Sequence, residues 1–191
     1  MKRLNSNIIK TMVTVFTVTI FFSCQNNFKE VQNIGILDSG PAAIAENINP
    51  KYTVKVDKDS VIGRLKMNLK TPKMLDYSNR RFAFFEYPDG IDLTLYDDNG
   101  NENHILANYA IMYNETNLID LRGDVVISTF KKDTLFTQQL FYDQSKEWMF
   151  TNRPVQFKMT DQIINGNGFD SDNNFTMAEV IEVTGVVTID E

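Results

Sequence analysis

The chain has 191 residues and a formal net charge of −6, with one cysteine and one histidine. That length suits a single domain with a sizeable core. A lone cysteine excludes an intramolecular disulfide, a lone histidine argues against a zinc-type site, and the acidic balance argues against nucleic acid as a partner.

The N-terminus reads as an export signal. Lys2, Arg3 and Lys10 form a basic start, and Met12 to Phe22 is apolar apart from Thr14, Thr17 and Thr19. The run ends in Phe21-Phe22-Ser23-Cys24. It is shorter than the roughly 20 apolar residues a membrane-spanning helix needs, and the polar Gln25-Asn26-Asn27 follows it. A free thiol at this point would be a liability in an oxidising compartment. The segment resembles a bacterial lipobox, with Phe21 where that pattern usually has Leu. The resemblance implies cleavage before Cys24 and several acyl chains on it, since one chain anchors weakly. Plain cleavage nearby with a free thiol is the alternative. Residues 1–23 are therefore expected to be a signal peptide. Removing 23 residues from 191 leaves 168, and with three of the 19 basic residues gone, 16 bases face 25 acids for a net charge of −9. Such a surface does not favour lying flat on an anionic leaflet.

Residues 24–50 read as a tether broken by Gly35, Gly40-Pro41 and Asn49-Pro50. From residue 51 to the end the pattern is β. Tyr52–Asp57, Ile91–Tyr96, Asp124–Thr129, Val155–Met159 and Glu182–Ile189 alternate apolar with polar residues, the mark of half-buried strands. Pro88-Asp89-Gly90, Asp97–Gly100, Asn165–Gly168 and Asp172–Asn174 supply turns between them. No stretch offers a sustained helical face. The expected fold is an antiparallel all-β sandwich or barrel. A weak repeat accompanies it. Leu121-Arg122-Gly123-Asp124-Val125 is echoed by Thr151-Asn152-Arg153-Pro154-Val155 and then by Val183-Thr184-Gly185-Val186-Val187. Aromatic strands, Tyr109–Tyr113 and Gln139–Asp143, precede the first two copies. The pattern suggests strand–turn–strand units stacked in one direction.

These segments resemble the LptC family, the periplasmic subunit of the lipopolysaccharide export bridge. Phe85–Ile91, Tyr96–Gly100, His104–Ala110, Leu121–Val126, Asp133–Asp143, Ile164–Phe169 and Gly185–Val187 carry the resemblance through their order and spacing. The second repeat copy departs from it, with Arg153-Pro154 where glycine is usual. The stretch from Tyr77 to Tyr87, lengthened relative to the family, is a second departure. The chain resembles the Bacteroidetes branch, where a lipidated cysteine replaces a transmembrane helix as anchor. The resemblance implies a β-jellyroll open at both ends over residues 51–191. Its apolar interior would hold lipid A acyl chains, at about 0.8 kcal/mol per CH₂ shielded from water. It also implies docking of terminal strands to neighbours of similar fold. The implied partners are lipopolysaccharide, an LptA-like bridge protein and the LptB/LptF/LptG inner-membrane transporter, with the chain periplasmic and lipid-anchored at the inner membrane.

Leu93, Leu95, Leu140 and Tyr142 alternate along their strands, as do Val125, Ile127, Val155, Phe157, Val187 and Ile189. They read equally as core and as acyl-chain contacts, because in such a fold the two surfaces are one. Gly123 is expected at a bulge or positive-φ turn, the alternative being a close approach by a partner. The strand around Ile181, Val183, Val187 and Ile189 is the expected edge for the bridge protein. Asp170–Asn174 lacks the glycine and glutamate of a calcium loop, since Phe175 and Ile181 stand there. His104 reads as a strand residue. No nucleophile elbow or phosphate loop is present in the sequence, and no acid pair is singled out for glycoside hydrolysis. No enzyme activity, cofactor or metal is expected. The competing reading is a lipid-anchored β-sandwich that binds glycan or an envelope protein at the outer membrane.

Overall fold

A computed structural model describes residues 40–55 and 63–184; Cys24, Val187 and Ile189 lie outside the described residues. Among the described residues all regular structure is β, in thirteen strands. In chain order they are β1 (Ala43–Ile48), β2 (Lys51–Lys55), β3 (Gly63–Asp76), β4 (Phe84–Tyr87), β5 (Ile91–Tyr96), β6 (Glu102–Ala107) and β7 (Tyr109–Tyr113). Then follow β8 (Leu118–Ser128), β9 (Thr134–Asp143), β10 (Trp148–Lys158), β11 (Ile163–Asp172), β12 (Glu179–Val180) and β13 (Val183–Thr184).

Three of the five long strands, β3, β8 and β11, explain the architecture, because each pairs with different neighbours along its two halves, while β9 and β10 keep the same neighbours throughout. The first half of β3 lies between β2 and β5, and its second half between β1 and β4. Likewise β8 pairs with β7 through Leu118–Arg122 and with β6 through Val126–Ser128. β11 accepts β13 on its first half and β12 on its second. All pairings are antiparallel. The sheet thus folds over into two layers that share their long strands. One layer contains β2, β5, β6 and β13; the other contains β1, β4, β7 and β12. This is the antiparallel all-β sandwich that the alternation predicts, in the β-jellyroll form that the family resemblance implies.

The bend falls at corresponding positions on β8 and β10. Register shifts mark it between Arg122 and Val125 on β8 and between Thr151 and Pro154 on β10. These bulges bend the strands. They coincide with the first two repeat copies, so the repeat in the sequence is a repeat of bend sites on two strands that flank β9 in the same direction. Carbonyls freed at the bend find hydroxyl donors. Thr71 Oγ1 donates to the Gly90 carbonyl at 2.8 Å, and Thr137 Oγ1 to the Pro154 carbonyl at 3.0 Å.

The core lies between the layers. Leu69, Leu93, Ile105, Ile127, Leu135 and Phe157 are successive cross-strand partners on one inner face. Opposite them run Met112, Ile119, Tyr142 and Met149 in one row, and Tyr87, Ala110, Leu121 and Leu140 in another. All are buried. Each large side chain removed from water contributes about 1.5–3 kcal/mol before entropy is counted.

The sheet begins earlier than residue 51. β1 falls inside the stretch read as a tether and pairs with β3 from Ala43↔Asp76 to Ile48↔Thr71. Its Ala-Ile-Ala-Glu-Asn-Ile sequence has its two polar residues side by side and is largely exposed, so no alternation shows. The ladder offered by β3 makes it a strand. At the other end the strand expected over 182–189 is, within the described residues, only Val183–Thr184.

Candidate functional site

Eight of the ten proposed interior residues are described, and all eight face the space between the layers. Leu93, Leu95, Val125, Ile127, Val155 and Phe157 come from one layer, and Leu140 and Tyr142 from the other. Their exposures run from 0% to 5%. The interior is filled by side chains rather than held open, so its apolar surface is core and candidate ligand surface at once. Sequence reasoning missed other members of the same surface, notably Leu69, Ile105, Leu135, Met149 and Phe169. Phe175 is a different omission. It sits in a polar turn with no periodicity around it, yet it is buried against Phe169, ring centroids 6.1 Å apart. Phe169 in turn lies 5.6 Å from Phe157 across the interior.

The bend is built by Gly123 and Asp124, both at positive φ (74° and 46°). The Gly123 carbonyl accepts a bond from the Asn108 N–H at 3.0 Å. A Cβ at Gly123 would stand 3.2 Å from that of Asn108. The Asp124 carboxylate accepts bonds from Asn108 Nδ2 and Gln138 Nε2. Nearby, a cleft of about 910 Å³ opens on the seam, lined by residues including Asn49, Lys70, Asp89, Asp92 and Leu106. Asp120, buried at the start of the bend, receives the Arg122 guanidinium and Gln139 Nε2.

Both ends of the strand stack are thin and expose apolar side chains among charged ones. At the C-terminal end the Ile181 N–H donates to the Gly168 carbonyl at 2.9 Å, and the Ile181 carbonyl accepts from Asn167 at 3.0 Å. Val183 pairs with Gly166. Ile181 is 41% and Val183 57% exposed. At the other end β1 and β2 expose Ile44, Tyr52 and Val54. Exposed apolar edges of this kind invite strand addition. The Tyr77–Tyr87 stretch forms an aromatic corner, with Tyr77 stacked on Phe84 at 4.7 Å, Phe82 beside Tyr113, and the Arg80 guanidinium over Tyr77.

Far from the bend, the two layers are tied by polar contacts. Asn103 Nδ2 on β6 donates to the Asn173 carbonyl at 2.7 Å. Lys66 Nζ on β3 lies 3.3 Å from Glu147 Oε1, while Asn173 Nδ2 donates to Glu147 Oε2 at 3.2 Å. Burial raises the affinity of Asp172 for its proton. The bonds it accepts from the Thr176 hydroxyl and the Thr176 and Met177 N–H groups outweigh this and hold the carboxyl below the usual range. Asp172 is thus the organiser of a turn. His104 stands half-exposed on β6 between Thr94 and Glu102. Among the described residues no group of three or more His, Cys, Asp or Glu side chains is placed to hold a metal ion. No helix among them is long and apolar enough to cross a membrane.

A comparison with curated proteins finds no match. A family model described as lipopolysaccharide-assembly, LptC-related, matches residues 12–188. With a jellyroll whose apolar interior is shared by every long strand, and a match over nearly the whole chain, the protein belongs to the LptC-related family of periplasmic lipopolysaccharide-transport components.

Proposed function

We propose that this domain is a non-enzymatic conduit that shields lipid A acyl chains between its two layers. The observation that carries the reading is the shared apolar interior where Leu93, Leu95, Val125, Ile127, Val155 and Phe157 of one layer face Leu140 and Tyr142 of the other. That interior runs through the whole strand stack and ends at an exposed edge on each side. Lipopolysaccharide would come from an LptB/LptF/LptG inner-membrane transporter at the β1–β2 edge. It would leave for an LptA-like bridge protein at the β12–β13 edge, where Val187 and Ile189 would extend the pairing. The sequence has no phosphate loop, so the transporter's ATP would drive movement. Cys24, acylated, would hold the domain at the inner membrane, and the short polar stretch after it would act as the tether. This arrangement fits the Bacteroidetes type of the family.

Photo-crosslinking amino acids at Tyr142 and Phe157, where an aromatic replacement perturbs least, are expected to capture lipopolysaccharide in cells. Lys131, on an exposed turn, is expected to capture none. Capture at Lys131 alone would overturn the conduit.

A further inference from the structure

Between β11 and β12 the chain makes a short crossing, residues 173–178, that belongs to no ladder. Its polar residues hold it at the rim. The Asn173 N–H donates to the Glu147 carbonyl at 2.9 Å, and Asn173 is bonded through its carbonyl to Asn103 and through its side chain to Glu147. Asp172 gathers the N–H groups of Thr176 and Met177 at 2.7 and 2.9 Å. Thr176 and Met177 point to solvent, with Met177 63% exposed. Asn173 is buried at the rim through its hydrogen bonds, and of the apolar side chains only Phe175 turns inward.

Phe175 does so in a backbone state that bulky residues avoid, φ +55°. Non-glycine residues persist there when surrounding contacts over-determine them, and such sites cluster at clamps and switches. Here the compensating contact is burial of the ring, 6% exposed, against Phe169 and through it Phe157. The ring therefore stands in the surface assigned above to acyl chains, but it is delivered by a turn rather than by a strand. A core residue on β8 or β10 cannot leave without breaking two ladders. Phe175 can leave when a few rim hydrogen bonds open, and its departure relieves its backbone.

Resting on the conduit reading, we infer that residues 173–178 form a strap and that its Phe175 ring occupies an acyl-chain subsite, which a saturated chain takes by displacing the ring. The subsite is apolar, walled by Phe157 and Phe169, and lies beside the last long strand, next to the edge assigned to onward transfer. The contacts of Asn173 with Asn103 and Glu147 tie the two layers, so release of the strap also loosens the rim through which a chain must pass.

The strap is tested on the full-length chain in detergent with purified lipopolysaccharide as the probe. In a Trp148→Phe/Phe175→Trp reporter, lipopolysaccharide is expected to shift emission to the red and to increase acrylamide quenching as the ring moves into water. Phe175→Ala is expected to bind about tenfold more tightly, because no large side chain has to be expelled. Thr176→Ala, which removes at an exposed position the hydroxyl that donates to Asp172 and so loosens the strap from outside, is expected to raise the association rate and would stand in if Phe175→Ala fails to fold. Binding with unchanged emission and quenching, or Phe175→Ala binding no more tightly than the native chain, overturns the strap and leaves the conduit standing. Failure of the native chain and every variant to bind overturns both.

Discussion

Gly123 shows how one backbone position sets the bend. It and Gly100 both sit at positive φ, 74° and 84°, but only at Gly123 would a Cβ meet a neighbour, Asn108 at 3.2 Å; at Gly100 nothing lies within 4 Å. Alanine at either position strains the backbone by about 1–3 kcal/mol. At Gly123 it must also push Asn108 away from its bond to Asp124. Gly123→Ala is therefore expected to lower the urea midpoint more than Gly100→Ala, with the slope unchanged. Equal losses would show that Asn108 yields freely. The sequence carried the signal for a turn glycine here, but not for its partner. Asn108 lies across a strand crossing, and its contact with Asp124 spans 16 positions.

The two edge strands illustrate the limit of pattern reading. Ile181 and Val183 lie on the expected docking edge, and their exposure follows from covering β11 on one side only. β1, at the opposite edge, shows almost no pattern, because an edge strand needs no buried face. It is specified by the partner that β3 presents. Lysine on an edge discourages further strand pairing. Val183→Lys, at a 57% exposed position, is expected to leave thermal stability within about 0.5 kcal/mol of native and to reduce co-purification of the bridge protein by severalfold. Undiminished co-purification would move the docking site off this edge. The Phe175 strap escaped the sequence for a related reason. An Asp-Asn-Asn-Phe-Thr turn reads as solvated, and only the interior between the layers gives the ring somewhere to go.

The assembled domain has one apolar interior with an exposed edge strand at each end, and its placement at a membrane is the role proposed above for Cys24. If acylated Cys24 serves only for placement, Cys24→Ala joined to a substitute inner-membrane helix is expected to restore lipopolysaccharide export, read as surface lipopolysaccharide and growth. Correct placement without export would show that the acyl group acts in transfer itself. Period-two alternation and regular turns were enough to determine an antiparallel all-β sandwich and the inward-facing set from Leu93 to Phe157, because side-chain direction along a strand is a local property. The spacing of the bends was also local, since it repeats with the sequence. What only the tertiary structure decided was the sharing of long strands between two layers, the strand status of β1, and the inward turn of Phe175. Each depends on pairing or packing between residues distant in sequence, as in the bond that joins Asn103 to Asn173 across 70 positions, and no local rule encodes such a meeting.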